Sequence, residues 1–310
     1  MRATSHADRG LDAVRRLVAD AIKERSARFL KNLKRALKHP VGDPIHDLRV
    51  SMRRLAAALL ATGEIRESRI AADVLSQLDA LMRPLGKVRD AQVQLGLLGA
   101  LGKRGAKTVS AFTDLLEQRE ARFRAKSQKA MKRLDAARIR KGCKQVQAEL
   151  DGETSASHSA LRSRPKGSVE SRCGDEAARQ AAARTAYRIL LRCYRAVRSH
   201  RLRALNRRDL EALHKMRLAL KRMRYTAEVL QSALPELTGG RLKLFGRYQT
   251  YMGDIHDLDV LAGNIREFYG ATAAPAVHRV VERLTRRRER IFKQFRKSFG
   301  ALEKSHFLTQ

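Results

Sequence analysis

A chain of 310 residues with 66 Lys and Arg against 32 Asp and Glu carries a formal charge of +34. Self-repulsion on that scale calls for an anionic partner, while an apolar share of 43% excludes a disordered chain. Three cysteines, Cys143, Cys173 and Cys193, fit neither a zinc spacing nor a disulfide framework, which points to a reducing cytoplasm. No apolar signal region opens the chain, and the longest apolar run, Leu55 to Ala61, is far too short to span a bilayer. The candidate partners are nucleic acid, an anionic membrane surface or an inorganic phosphate polymer, with no membrane insertion.

The chain reads as helix almost throughout. Leu11, Val14, Val18, Ile22, Phe29, Leu33 and Leu37 keep helical spacing and predict a first helix over about 8–38, stopped by Pro40. Pro44 suits the first turn of a second helix, which carries His46, Arg49 and Arg53 and runs out at Gly63. A third helix is predicted over about 66–83, packed through Ile70, Val74, Leu78 and Leu81. Gly86 suits a left-handed helix end and Asp90 the cap of a new helix. Lys87 and Arg89 then fall in a turn where backbone N–H groups and cations can meet a phosphate. A long helix follows over about 103–134, with Arg119, Arg122, Lys126, Lys129 and Arg133 on one face.

Residues 151–174 are rich in Ser and Gly and contain Pro165, as in a flexible linker. Further helices are predicted over about 176–200, around His214, over 241–252, after Asp257 and along the C-terminal stretch. Gly253 and Asp257 are read like Gly86 and Asp90, with His256 in the turn. In the last helix Arg279, Arg283, Arg286, Arg290, Lys293 and Lys297 share a face. Val280, Leu284, Ile291, Phe295 and Phe299 take the other.

A basic stretch occurs twice. The second copy runs His214-Lys-Met-Arg217-Leu-Ala-Leu-Lys221-Arg222-Met-Arg224-Tyr225, the first His46-Asp-Leu-Arg49-Val-Ser-Met-Arg53-Arg54-Leu55. At about 100° per residue, His214, Arg217, Lys221 and Tyr225 cluster on one face, with Met216, Leu220, Met223 and Ala227 opposite. His46, Arg49 and Arg53 repeat the first face, and Leu48, Met52, Leu55 and Leu59 the second. A second pair of segments, Leu85-Gly86-Lys87-Val88-Arg89-Asp90 and Met252-Gly253-Asp254-Ile255-His256-Asp257, recurs at nearly the same offset. Two motifs at one offset imply a duplicated unit. The expected organisation is an N-terminal bundle half (1–150), a linker (151–174) and a C-terminal half (175–310). The fold class is all-α, two four-helix bundles related by a pseudo-twofold.

Catalysis finds little support in these residues. Neither His46 nor His214 has a carboxylate on its own face to orient it. No HExxH, P-loop or G-x-S-x-G motif occurs. An arginine three residues from each histidine would repel a divalent metal, so neither a catalytic site nor a metal or other cofactor is expected. Anion binding fits better, because Arg offers a planar fork and Lys a point charge to phosphate oxygens. His joins as a cation when phosphates crowd it. The candidate binding set is His46, Arg49, Arg53, Arg54, Lys87, Arg89, His214, Arg217, Lys221, Arg222, Arg224, Tyr225, Arg247 and His256. With no Trp and 5% aromatics, stacking platforms for single strands are scarce. Composition therefore leans to inorganic polyphosphate over nucleic acid, which stays the alternative.

The duplicated H-x-x-R-x-x-x-R/K-R helix, each copy followed some 39 residues later by an L/M-G-x-x-R/H-D segment, resembles the CHAD family of α-helical histidine-containing domains. The likeness runs from about residue 8 to 304. It implies paired four-helix bundles around a basic central cavity that binds inorganic polyphosphate, and association with polyphosphate granules in the bacterial cytoplasm. Gln92 stands where the family usually has a second aspartate, and His256 where Asn is commoner. The oligomeric state is left open.

Overall fold

A computed structural model describes residues 6–40, 42–158, 169–206 and 209–304. Among them are eleven α-helices, one short 3-10 turn and no strand. The helices are α1 (His6–Lys38), α2 (Asp43–Thr62), α3 (Arg69–Gly99), α4 (Gly102–Thr108), α5 (Ser110–Arg133), α6 (Ala136–His158), α7 (Val169–Ser199), α8 (Arg201–Ala204), α9 (Leu210–Leu230), α10 (Gly239–Tyr269) and α11 (Pro275–Lys304). The all-α expectation holds. Of the stretch read as a linker, residues 151–158 and 169–174 are helical, and 159–168 lie outside the described residues.

The chain divides into two compact units. Met1–Ala80, Arg133–Arg195 and Arg222–Leu242 form unit 1; Leu81–Lys132, Ala196–Lys221 and Lys243–Gln310 form unit 2. Each unit draws on residues from before and after position 160.

In unit 1, α1 and α2 are joined through Gly42, whose φ of 67° is left-handed backbone that a side chain would strain. Pro44 then sits in the first turn of α2, where its missing N–H has no helical partner to lose. The apolar face read from the sequence is the buried one: Leu48, Met52 and Leu55 are at 0% exposure. Truncating such a residue to Ala costs about 2–5 kcal/mol. Where α1 meets α7, a Cβ on Gly10 would lie 2.4–2.7 Å from Ala181 and the Ala182 nitrogen, so only glycine allows that approach.

In unit 2, the later part of α3 packs with α10, α5 and α11. Leu98, Leu101, Phe112 and Leu116 share one core with Leu258, Leu261, Ile265, Val277, Val280 and Leu284. Asn264 donates to Gln94 at 2.9 Å, tying together the two helices that carry the second repeated segment. The exposed side of α11 presents Arg279, Arg283, Arg286, Arg290, Lys293 and Lys297, the stripe expected from spacing.

Several boundary expectations are corrected. Helix α3 runs unbroken through Pro84 and Gly86, and α10 through Gly253. Gly86 therefore ends no helix, and Asp90 and Asp257 cap none. Lys87, Arg89 and His256 lie in mid-helix, so no helix N-terminus there offers N–H groups to a phosphate. The reason is burial. Leu85 and Val88 flank Gly86 at 0% and 1% exposure, and Met252 and Ile255 flank Gly253 at 0%. Each such side chain contributes about 1.5–3 kcal/mol, against roughly 1 kcal/mol for an interior Gly. The true interruptions come at the left-handed Gly102 and Gly270, and α4 and α5 replace the single long helix expected over 103–134.

Candidate functional site

Helix α9 begins where Asp209 accepts the backbone N–H of Ala212 at 2.9 Å, satisfying one of the donors a helix start leaves open. That bond, with Arg203 donating at 2.8 Å, holds the Asp209 carboxyl below the usual range. Met216, Leu220, Met223 and Ala227 are fully buried. Burial of this stripe leaves His214, Arg217 and Lys221 together on the other face, about one turn apart.

In unit 2 that face meets α10. The His214 and His256 rings lie 5.1 Å apart at 43°. The Arg217 guanidinium passes over Gly253, with Nε 3.9 Å from where a Cβ would stand. Burial, then Arg217 and Lys221, push His214 below the usual histidine range. Burial, Arg217 and His214 do the same to His256, partly offset by Asp90 and Asp259. Nδ1 of His214 is buried with no hydrogen-bond partner among the described residues. Below the pair is a cavity of about 350 Å³ lined by Leu210, Leu213, His214, Met252, His256 and Val260, among others.

Carboxylates surround this cationic face. Asp259 is held by Arg288, whose Nε lies 3.2 Å from Oδ1. Arg288 itself is 6% exposed and stacks over Phe292 at 4.9 Å. Burial nevertheless pushes Asp259 above the usual carboxyl range, with Arg288 pulling back. Asp257 is likewise pushed up by burial, with Arg217, Arg89 and Lys221 opposing and Asp90 adding to the rise. Neither Asp254, Asp259 nor Arg288 was picked out from sequence as a site neighbour.

The other candidates stand apart from this cluster. Lys87 lies 5.8 Å from the Phe123 ring centroid, in cation–π range. Arg89 is exposed but within electrostatic reach of Asp257. Arg247 is exposed on α10, about two and a half turns before His256 and half a turn out of phase with it.

Unit 1 holds the remaining members. On α2, His46 is exposed, Arg49 buried at 7%, and Arg53 half-buried. Glu228 accepts Arg54 at 3.2 Å and lies 3.3 Å from Arg224. Arg25 adds a third cation there. Its Nη1 donates to the Arg54 carbonyl at 2.9 Å, and burial lowers its pKa while Glu228 works against that. Arg224 also covers the Tyr225 ring at 5.4 Å, and Tyr225 is buried at 8%. Glu64 joins Arg192 at 2.7 Å and Arg222 at 3.2 Å. The motif arginines Arg54, Arg222 and Arg224 thus each have a glutamate partner. Sequence reasoning missed Arg25, Glu64 and Glu228; the i,i+4 spacing of Arg224 and Glu228 was a local signal for one pair, while Glu228 lies 174 residues from Arg54.

The unit 2 cluster can bind an anion through the Arg217 fork and the Lys221 point charge, with imidazoles that gain protons as negative charge arrives. No group of three or more His, Cys, Asp or Glu among the described residues could hold a metal ion, and no described helix is long and apolar enough to cross a membrane.

The model of the CHAD domain matches residues 20–266. The CHAD domain from the plant Ricinus communis has a similar solved structure, 19% identical, with a TM-score of 0.63, covering 93% of this chain and 92% of that one. PptA from Streptomyces chartreusis is 17% identical with a TM-score of 0.60, covering 94% and 99%. A search of curated proteins found no match.

Proposed function

The chain belongs to the CHAD family, and from that premise we propose that it binds inorganic polyphosphate without catalysis. The observation that carries the reading is the meeting of His214, Arg217, Lys221 and His256 in unit 2, where Arg217 and Lys221 already press on the imidazoles. Burial, with Arg217 and Lys221 beside it, holds His214 below the usual histidine range, and burial with Arg217 does the same to His256; a dense polyanion relieves the positive potential there. A net charge of +34 supplies long-range attraction, and an aromatic share of 5% with no Trp favours a polymer without bases. The proposal includes anion binding by the basic faces of both repeats, as the family resemblance implies. It also includes gathering at polyphosphate granules.

Titration with long-chain polyphosphate at increasing salt tests it. The log–log slope should be roughly −0.7 per phosphate neutralised, by analogy with single-stranded nucleic acids. Nonspecific nucleic-acid binding through the same surface is the alternative. Competition at matched phosphate concentration separates the two, since RNA displacing polyphosphate equally well would favour the alternative. A fluorescent fusion that stayed diffuse in polyphosphate-rich cells would count against granule association.

A further inference from the structure

A protein this basic nevertheless places carboxylates beside the cations of the unit 2 cluster. Three lie on α10 in unit 2, and their surroundings differ. Asp259 is paired directly with the buried Arg288. Asp254 faces Arg287 of α11 as well as Asp257. Asp257 is half-buried one turn beyond Gly253, over which Arg217 lies, and next to His256. Its electrostatic neighbours are Arg217 and Lys221 of α9 and Arg89 and Asp90 of α3. Among the described residues no direct ion pair or hydrogen bond ties Asp257 to any of them.

Asp257 therefore does not clamp the arginines in place as Asp259 clamps Arg288. Its charge acts through space, beside the groups proposed to receive phosphate. Asp90, the matching residue of the other repeated segment, reinforces it.

We infer that Asp257, seconded by Asp90, is an affinity-setting residue of the anion site, an internal counter-charge that weakens capture of a polyanion and makes it reversible. The inference rests on the polyphosphate reading above. A phosphate chain at Arg217 and Lys221 repels the Asp257 carboxylate, which burial already holds above the usual carboxyl range. The bound state therefore favours its protonated form. As pH falls this carboxyl is neutralised more readily with polyanion bound than without, so its opposition to binding fades. His214 and His256 also take up protons on binding, but they are common to wild type and Asp257 variants and cancel in the comparison.

The test is calorimetric titration of the full chain with short-chain sodium polyphosphate, for wild type, D257N, D257E and D90N, from neutral to mildly acidic pH. D257N should bind on the order of threefold to tenfold more tightly at neutral pH, as expected for removing one screened charge from a partly buried site. The gap should narrow as the pH is lowered. D257E, which keeps the charge, should follow wild type, and D90N, at an exposed position, should tighten binding less than D257N. D257N binding as wild type or more weakly at neutral pH, while circular dichroism shows it folded, would overturn the inference and leave the polyphosphate reading standing. If D257N misfolds, D90N decides, and no tightening there overturns it. A wild-type chain that binds no polyphosphate at low salt removes both readings.

Discussion

The two units surround the basic residues of the repeated motif differently. In unit 1, Glu228 takes Arg54 and Arg224 and Glu64 takes Arg192 and Arg222. Arginines from a repeated basic motif become parts of ion-pair networks. In unit 2 the neighbours of Arg217 and Lys221 include imidazole and the half-buried Asp257. A phosphate approaching the first set must compete with a glutamate already in contact. One approaching the second meets groups whose protonation shifts to suit it. The same motif on one helix, α9, forms glutamate ion pairs after Lys221 and presents Arg217 to the imidazoles before it.

The sharpest way to break this contrast is a pair of double variants. R217A/K221A should lose polyphosphate affinity by at least about a hundredfold, since each charge-assisted contact contributes roughly 1.5 kcal/mol or more. R222A/R224A should lose less than about fivefold, because those side chains are engaged by glutamates. Equal losses would erase the distinction. A stability comparison comes next. R288A should destabilise the fold by about 2 kcal/mol in urea titrations, because it strands a partly buried Asp259. R54A, about a third exposed, should cost under about 1 kcal/mol.

Acidity offers a third handle. Both histidines are held below their usual range without ligand, and phosphates raise them, so binding takes up protons and affinity increases as pH falls through the histidine range. Roughly a tenfold gain between pH 8 and 6 is expected, measured by titration in matched salt. H214Q/H256Q should flatten that profile. The smallest effect is expected for E228Q. Releasing Arg54 and Arg224 should raise affinity by about twofold while lowering stability by roughly 1 kcal/mol.

Amphipathic patterning was a faithful guide to α2 and α9. Leu48, Met52, Leu55, Met216, Leu220 and Met223, all at 0% exposure, share a face that periodicity alone identifies. The stripe on α11 was legible for the same reason. Local signals failed at Gly86 and Gly253, where a residue type that often ends helices is overridden by buried neighbours on both sides. The meeting of His214 with His256 was not legible either, although both were named, because it depends on how α9 crosses α10. The pairings of Glu64 with Arg192 and of Glu228 with Arg54 were hidden by sequence separations of 128 and 174 residues, whereas Arg224 and Glu228 are one turn apart.

The most direct measurement follows the imidazoles themselves, by nitrogen-detected NMR of the full chain during titration with polyphosphate. The proposed site predicts that His214 and His256 shift toward the protonated form together, saturating with the same affinity as binding measured by calorimetry. Binding that left both rings unchanged would place the polyanion elsewhere and contradict the account.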